Sequence, residues 1–139
     1  MRRIVEDRGL DARISIDSAG TAAYHVGELP DKRSRQAASR RGIRLESRAR
    51  QFVVGDFDRF DFVLAMDREN FENLSSLAPA GKEIDHLALL RSFDPLAVTG
   101  AEVSDPYYGG ERGFEDVLDQ CDAACRGLLD AILERAEFD

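Results

Sequence analysis

The apolar positions of the last quarter of the chain recur with helical spacing. Phe114, Val117, Leu118, Cys121, Ala124, Cys125, Leu128 and Ile132 follow at three- and four-residue steps, the stripe of an amphipathic helix. Glu115 and Asp116 fall in its expected first turn and Arg135 at its end, as the helix dipole favours. Phe71, Leu74, Leu77 and Ala78 repeat the helical spacing over a shorter span, with Asp67 as N-cap and Pro79 as stop. Two more helices are predicted over residues 1–8 and 31–41. Gly9 and Gly42 end them, and Asp31 caps the second. The pattern changes elsewhere. "FDFVLAMD" (60–67) is continuously apolar from Phe62 to Met66, as in a strand buried on both faces. "RISIDSAGT" (13–21) alternates Ile14 and Ile16 before small residues, a short strand running into a loop. "IDHLALLRSFDP" (84–95) predicts a strand and its exit loop. "YHVGELPD" (24–31) is loop, with Gly27 and Pro30 as punctuation. Strands alternating with helices define an α/β class with a parallel sheet. With no repeat or low-complexity linker, one domain spanning 1–139 is expected.

Composition narrows the function classes. The chain has 139 residues, 43% hydrophobic and 33% charged, which fits a globular protein with a real core. No apolar run reaches membrane-spanning length, and Met1-Arg2-Arg3-Ile4-Val5-Glu6-Asp7 is too polar for a signal peptide. Two cysteines and no tryptophan fit a reducing compartment, so a cytoplasmic location is expected. Nineteen basic residues against 27 acidic ones give a net charge of -8, which argues against nucleic acid as a general partner. The charge is uneven: from Lys32 to Arg50 the only acid is Glu46. That stretch reads either as a solvated face or as a surface for an anionic ligand.

Several stretches could carry chemistry. In "VSDPYYGGERGFEDVL" (103–118), Pro106 pushes Asp105 toward an extended conformation. A carboxylate at the end of a strand, beside Tyr107 and Tyr108, is placed to act as general acid or base. The same residues also make an ordinary Asp-Pro turn. "DSAGT" (17–21) offers Ser18, Thr21 and backbone amides to an anion, or forms a tight turn around Asp17. Cys121 and Cys125 are one helical turn apart on the apolar stripe. No further ligands stand at matching spacing, so buried thiols are expected rather than a metal site or redox pair. His25 and His86 have no identifiable catalytic partner.

"DSAGTAAYHVGELPD", "RRGIRLESRARQF", "DFDRFDFVLAMDREN" and "DPYYGGERGFEDVL" occur in one order and at compact spacing. Together, from Met1 to about Leu133, they resemble the low molecular weight protein-tyrosine phosphatases. The resemblance implies a flavodoxin-like three-layer α/β sandwich with parallel strands in order 2-1-3-4. It implies hydrolysis of phosphotyrosine and aryl phosphate monoesters without metal or other cofactor, through a phosphocysteine. Asp105 then matches the general acid/base, Tyr24, Tyr107 and Tyr108 the rings about the substrate, and Ser18 the serine supporting the phosphate loop. Arg50 lies in a matching motif without a catalytic role.

The resemblance has a gap. The family nucleophile is a Cys followed at the sixth position by Arg, between the first strand and first helix. Here Gly127 is sixth after Cys121 and Ala131 sixth after Cys125, and Met1–Val5 resembles the middle of the first helix. No residue matches the nucleophile. The expectation is an N-terminally truncated chain without the first strand and phosphate loop, inactive as written. Strands 13–17 and 62–66 would then lack their common neighbour, and self-association through exposed edges is expected. The expected partners are phosphotyrosine proteins, a tyrosine kinase among them, or small aryl phosphates, with no nucleic acid and no membrane. Two alternatives stay open: a non-catalytic binding protein on this scaffold, and an arsenate reductase-like protein.

Overall fold

The structure, a computed structural model, describes residues 1–22, 26–80, 82–104 and 110–135, the side chains of 110 and 111 excepted. Its elements are α1 (Arg2–Asp7), α2 (Lys32–Arg40), α3 (Asp56–Arg59), β1 (Val63–Ala65), α4 (Arg68–Leu77), β2 (Leu87–Leu89), a 3-10 turn (Leu90–Phe93) and α5 (Gly110–Arg135). The chain divides into two compact units, Ser18–Leu89 and Met1–Asp17 with Leu90–Asp139.

Among its described residues, the Ser18–Leu89 unit is built on two parallel strands. Val63, Leu64 and Ala65 of β1 pair with Leu87, Ala88 and Leu89 of β2. Val63 and Ala65 are buried while Leu64 is half-buried and Met66 exposed. One face of the strand is therefore well covered and the other only partly, short of the two-sided burial the apolar run predicts. Val63, Ala65, Phe57 and Leu74 form the core, with Phe52, Phe60, Phe71, Ile84, Leu87 and Leu89 against it. Phe52 meets Phe57 edge-on, with centroids 4.9 Å apart, the geometry the ring quadrupoles favour.

The caps are those the sequence marks. The Asp67 carboxylate accepts from the Asn70 amide at 2.7 Å and opens α4. Ala78 is extended ahead of Pro79 and ends it, because the proline ring excludes helical backbone before it. The Asp31 carboxylate accepts from the Arg33 amide at 2.8 Å. That bond is the main reason the Asp31 carboxyl titrates below its ordinary range. Gly42 ends the segment at φ 74°, a left-handed backbone that glycine adopts without strain.

In the other unit, α5 packs on the 3-10 turn and on α1. Ile4 and Val5 of α1, Leu90 of the turn, and Phe114, Ala124, Cys125, Leu128 and Leu129 of α5 are buried. The sequence starts α5 about one turn late. It begins at Gly110, so Glu115 and Asp116 lie in its second turn. Gly127 is where backbone meets backbone. A Cβ there would collide with the Phe93 carbonyl oxygen and stand 2.9 Å from its carbon.

The strand predicted at 13–17 is not formed. The Ile14 amide donates to Leu10 O at 3.0 Å and the Arg2 guanidinium donates to Ile16 O at 3.0 Å. Alternating isoleucines favour an extended chain, but a strand also needs a ladder partner, and among the described residues this segment has none. A single parallel bridge, Gly20 to Gln51, follows it.

Candidate active site

Of the residues the sequence assigns to the site, Tyr24, Asp105, Tyr107 and Tyr108 lie outside the described residues, as does His25. Ser18 is described and exposed. What the structure defines is the framework that carries these positions along the chain.

Residues 48–52 form a platform bonded to the described residues that precede and follow Tyr24 in the chain. Ahead of it, the Gly20 amide donates to Arg50 O at 2.8 Å and the Phe52 amide to Gly20 O at 2.8 Å. The Gln51 side-chain amide adds a bond to Thr21 O at 3.3 Å. On the other side, the Gly27 amide donates to Ala49 O and the Ala49 amide to Glu28 O, both at 2.7 Å. The Arg48 guanidinium donates to Gly27 O at 2.9 Å. Gly27 has φ 86°, which an L side chain would strain.

The platform is tied to a buried carboxylate. Asp56, at the start of α3, is wholly inaccessible. Its Oδ2 accepts from Arg50 Nη1 at 2.9 Å and from the Val53 amide at 2.9 Å. Its Oδ1 accepts from Arg50 Nη2 at 3.4 Å and Arg59 Nη2 at 3.2 Å. Burial by itself raises the Asp56 pKa, but the Arg50 bond, the Val53 amide and the two guanidinium charges outweigh it. The carboxyl is held below its ordinary range. Burying a charge without such partners would cost several kcal/mol, of the order of 3–5. Sequence reasoning missed Asp56. The only available signal was an acid opening "DFDR", because its main partner comes from an irregular segment.

The residue preceding Asp105 is also held. Gln120 of α5 accepts from the Ser104 amide at 2.9 Å and donates to Ser104 Oγ at 2.9 Å. Two residues upstream, Glu102 O accepts from the Arg91 guanidinium at 3.0 Å. Gln120 is off the apolar stripe, and nothing in the sequence pointed to it.

Neither cysteine has the character of a nucleophile. Cys125 is buried and Cys121 half-buried. Burial first, then the neighbouring Cys125, pushes the Cys121 thiol up to about 11. A reactive thiolate needs the opposite environment. His86 Nε2 donates to Phe57 O at 2.7 Å, a structural bond. Among the described residues no group of three or more His, Cys, Asp or Glu could hold a metal, and no helix is long and apolar enough to cross a membrane. A cleft of about 220 Å³ beside α1, lined by Arg2, Val5, Glu6, Asp11, Ile14, Ser15 and Ile16, contains none of the predicted site residues.

The parallel pairing of β1 with β2 and the helices that alternate with them define an α/β class. The family model for low molecular weight phosphotyrosine protein phosphatases matches residues 1–137, and the chain belongs to that family. It is 42% identical over 137 residues to the low molecular weight protein-tyrosine-phosphatase of Streptomyces coelicolor, covering 98% of this chain and 84% of that protein. The crystal structure of a protein tyrosine phosphatase from Entamoeba histolytica superposes with a TM-score of 0.88 at 34% identity, covering 96% of this chain and 84% of that one. YfkJ of Bacillus subtilis gives 0.88 at 33% identity, covering 98% and 84%. In the family order 2-1-3-4 the third and fourth strands are parallel neighbours, as β1 and β2 are here.

Proposed function

We propose that residues 1–139 carry the acid and the aryl-binding residues of one phosphatase domain, which acts on phosphotyrosine and aryl phosphate monoesters in the cytoplasm once a nucleophile is supplied, tyrosine kinases being one class of protein substrate. The observation that carries this reading is the family match over 1–137, a range that includes the Asp-Pro-Tyr-Tyr segment. Asp105 is the general acid: it protonates the leaving phenolate as a thiolate attacks phosphorus. Its carboxylate then takes a proton from the water that hydrolyses the phosphocysteine. Tyr24, Tyr107 and Tyr108 contact the aryl group, and Ser18 supports the phosphate loop.

The thiolate is not supplied by these 139 residues. Cys121 and Cys125 lack an Arg at the sixth position, and the Cys121 thiol is pushed up to about 11. The cations between Lys32 and Arg50 do not replace the directed amides of a phosphate loop. The 139-residue chain alone is therefore inactive, and activity requires a strand and Cys-x5-Arg segment joined to it.

The test compares two proteins on an aryl phosphate: the 139-residue chain, and the same chain fused at its N-terminus to that segment from the Streptomyces coelicolor relative. The fusion should turn over and the chain alone should not. Asp105→Asn in the fusion should slow turnover about a hundredfold or more, and less for leaving groups of low pKa. Turnover by the 139-residue chain that Asp105→Asn abolishes would overturn the inactive reading. Equal losses for all leaving groups would remove Asp105 from the role of acid.

A further inference from the structure

We propose that the exposed face of α2, with Arg44 beyond its end, is a docking surface for an acidic peptide segment of a partner protein.

Residues 31–50 hold eight cations and two acids in a chain whose net charge is -8. Three of those cations are tied into the structure. Arg35 Nε donates to Pro30 O at 3.0 Å, the Arg48 guanidinium to Gly27 O at 2.9 Å and Arg50 Nη1 to Asp56 at 2.9 Å. Lys32, Arg33 and Arg40 lie on α2. The buried residues of that helix are Ala37 and Ala38. By helical spacing Lys32, Arg33, Gln36, Ser39 and Arg40 face the other way, and all five are exposed. The described residues of that face hold three cations and no acid. Both local acids are engaged already. Asp31 accepts the Arg33 amide and meets Arg33 Nε at 3.5 Å, and Glu46 meets Arg44 Nε at 3.1 Å. The Arg33 and Arg44 side chains are nevertheless 56% and 87% exposed. Ion pairs in water hold little energy and exchange readily for a partner's carboxylates.

Helix stability does not account for these cations. The helix dipole favours acids in a first turn, and α3 and α4 place Asp56, Asp58 and Glu69 there. The first turn of α2 has no acid and carries Lys32 and Arg33. Their repulsion from the positive helix end is offset when an anion lies along the face.

The size of the face selects the anion. The nine residues of α2 span about 13 Å, the length of about four residues of extended peptide. Outside residues 31–50 acids outnumber cations. A nucleic-acid duplex or an anionic vesicle extends beyond the patch, so it meets that acidic excess within a screening length of about 10 Å at 0.1 M salt. A short acidic segment meets the patch alone. Arginine also suits carboxylates, because its guanidinium forks onto both oxygens, and Arg33, Arg40 and Arg44 outnumber Lys32 here.

Fluorescence anisotropy of labelled hexaglutamate with the 139-residue chain tests the surface. Binding should be measurable at about 0.02 M salt and lost by about 0.5 M, where screening cuts off the attraction within a few ångströms. Hexaserine should not bind. Lys32→Gln combined with Arg40→Gln should weaken binding about fivefold or more, the loss of two exposed ion pairs. Glutamine keeps the helix propensity of the residues it replaces. Arg8→Gln combined with Lys82→Gln removes the same charge from two other exposed positions and should weaken binding far less. A second measurement uses the unsubstituted chain and serves if the α2 variant does not fold. On adding hexaglutamate, the amide resonances of Lys32–Arg40 should shift while those of α4 stay in place. No binding at low salt, equal loss in the two double variants, or shifts that omit α2 would overturn the proposal. If a DNA duplex or phosphatidylserine vesicles bound through Lys32 and Arg40 where hexaglutamate did not, the assigned class of partner would be wrong.

Discussion

At the scale of single residues, environment decides which groups react. The Cys121 thiol, pushed up to about 11 by burial and by Cys125, has a thiolate fraction of only about one in ten thousand at pH 7. Alkylation of the folded chain by iodoacetamide at pH 7 should therefore be far slower than in urea, by about tenfold or more, because reaction proceeds through the thiolate. Equal rates folded and unfolded would contradict that environment. Asp56 shows the reverse case, a carboxyl lowered despite burial. As pH falls, the unfolded carboxyl takes up its proton first. The stabilisation is fully present above the unfolded value of about 4 and is lost as pH drops through the lower folded value. Urea midpoints of the parent should fall steeply below about pH 4, and those of Asp56→Asn, lower at neutral pH, should fall less. Parallel acid limbs would show that other carboxylates govern acid unfolding. The caps Asp31 and Asp67 were legible in the sequence because each bonds to an amide two or three residues on. Asp56 and Gln120 were not, because Asp56 is held chiefly by a residue from an irregular stretch and the partner of Gln120 is 16 residues away.

At the scale of elements, helices were read more faithfully than strands for a physical reason. Much of a helix is specified locally, by caps, stops and a stripe, and α2 and α4 fall where those signals put them. A strand is specified by its neighbours. Residues 62–66 contain β1 because β2 pairs with it, whereas 13–17, with the better alternation, forms no ladder. The start of α5 was misplaced because Gly110 to Gly113 carries no stop signal that a helix cannot override. On helix propensity alone, alanine at Gly127 would improve α5 by about 1 kcal/mol. The close approach of Phe93 reverses the sign. Backbone atoms cannot swing aside like a side chain, so α5 must move off the 3-10 turn. Gly127→Ala should lower stability by about 1–3 kcal/mol, the usual cost of forcing extra atoms into a packed core. The readout is the urea midpoint. A rise instead of a fall would mean that the helix and turn separate at negligible cost.

At the scale of the whole molecule, opposing terms decide whether the 139-residue chain stays alone in solution. Among the described residues the sheet has two strands of three residues each, short for independent stability. Among the described residues, β1 has β2 on one side and no ladder on the other. Met66 beyond its end, and Val53 and Val54 in the same unit, expose 45%, 49% and 47% of their surface. Such edges and patches favour pairing with another copy. A net charge of -8 works against it, since like copies repel until salt screens them, over about 10 Å at 0.1 M. The expected outcome is concentration-dependent association of the isolated chain that strengthens between 0.02 and about 0.5 M salt. Sedimentation equilibrium at several loading concentrations measures it. Association that weakens with salt would point elsewhere, to the basic Lys32–Arg50 stretch meeting the acidic remainder of a second copy. A monomer at every salt concentration would mean that the open edge of β1 is already satisfied. The nucleophile-bearing fusion separates edge pairing from patch contact. If a strand supplied in cis removes the association, the β1 edge was the interface, and if association persists, Val53, Val54 and Met66 carry it.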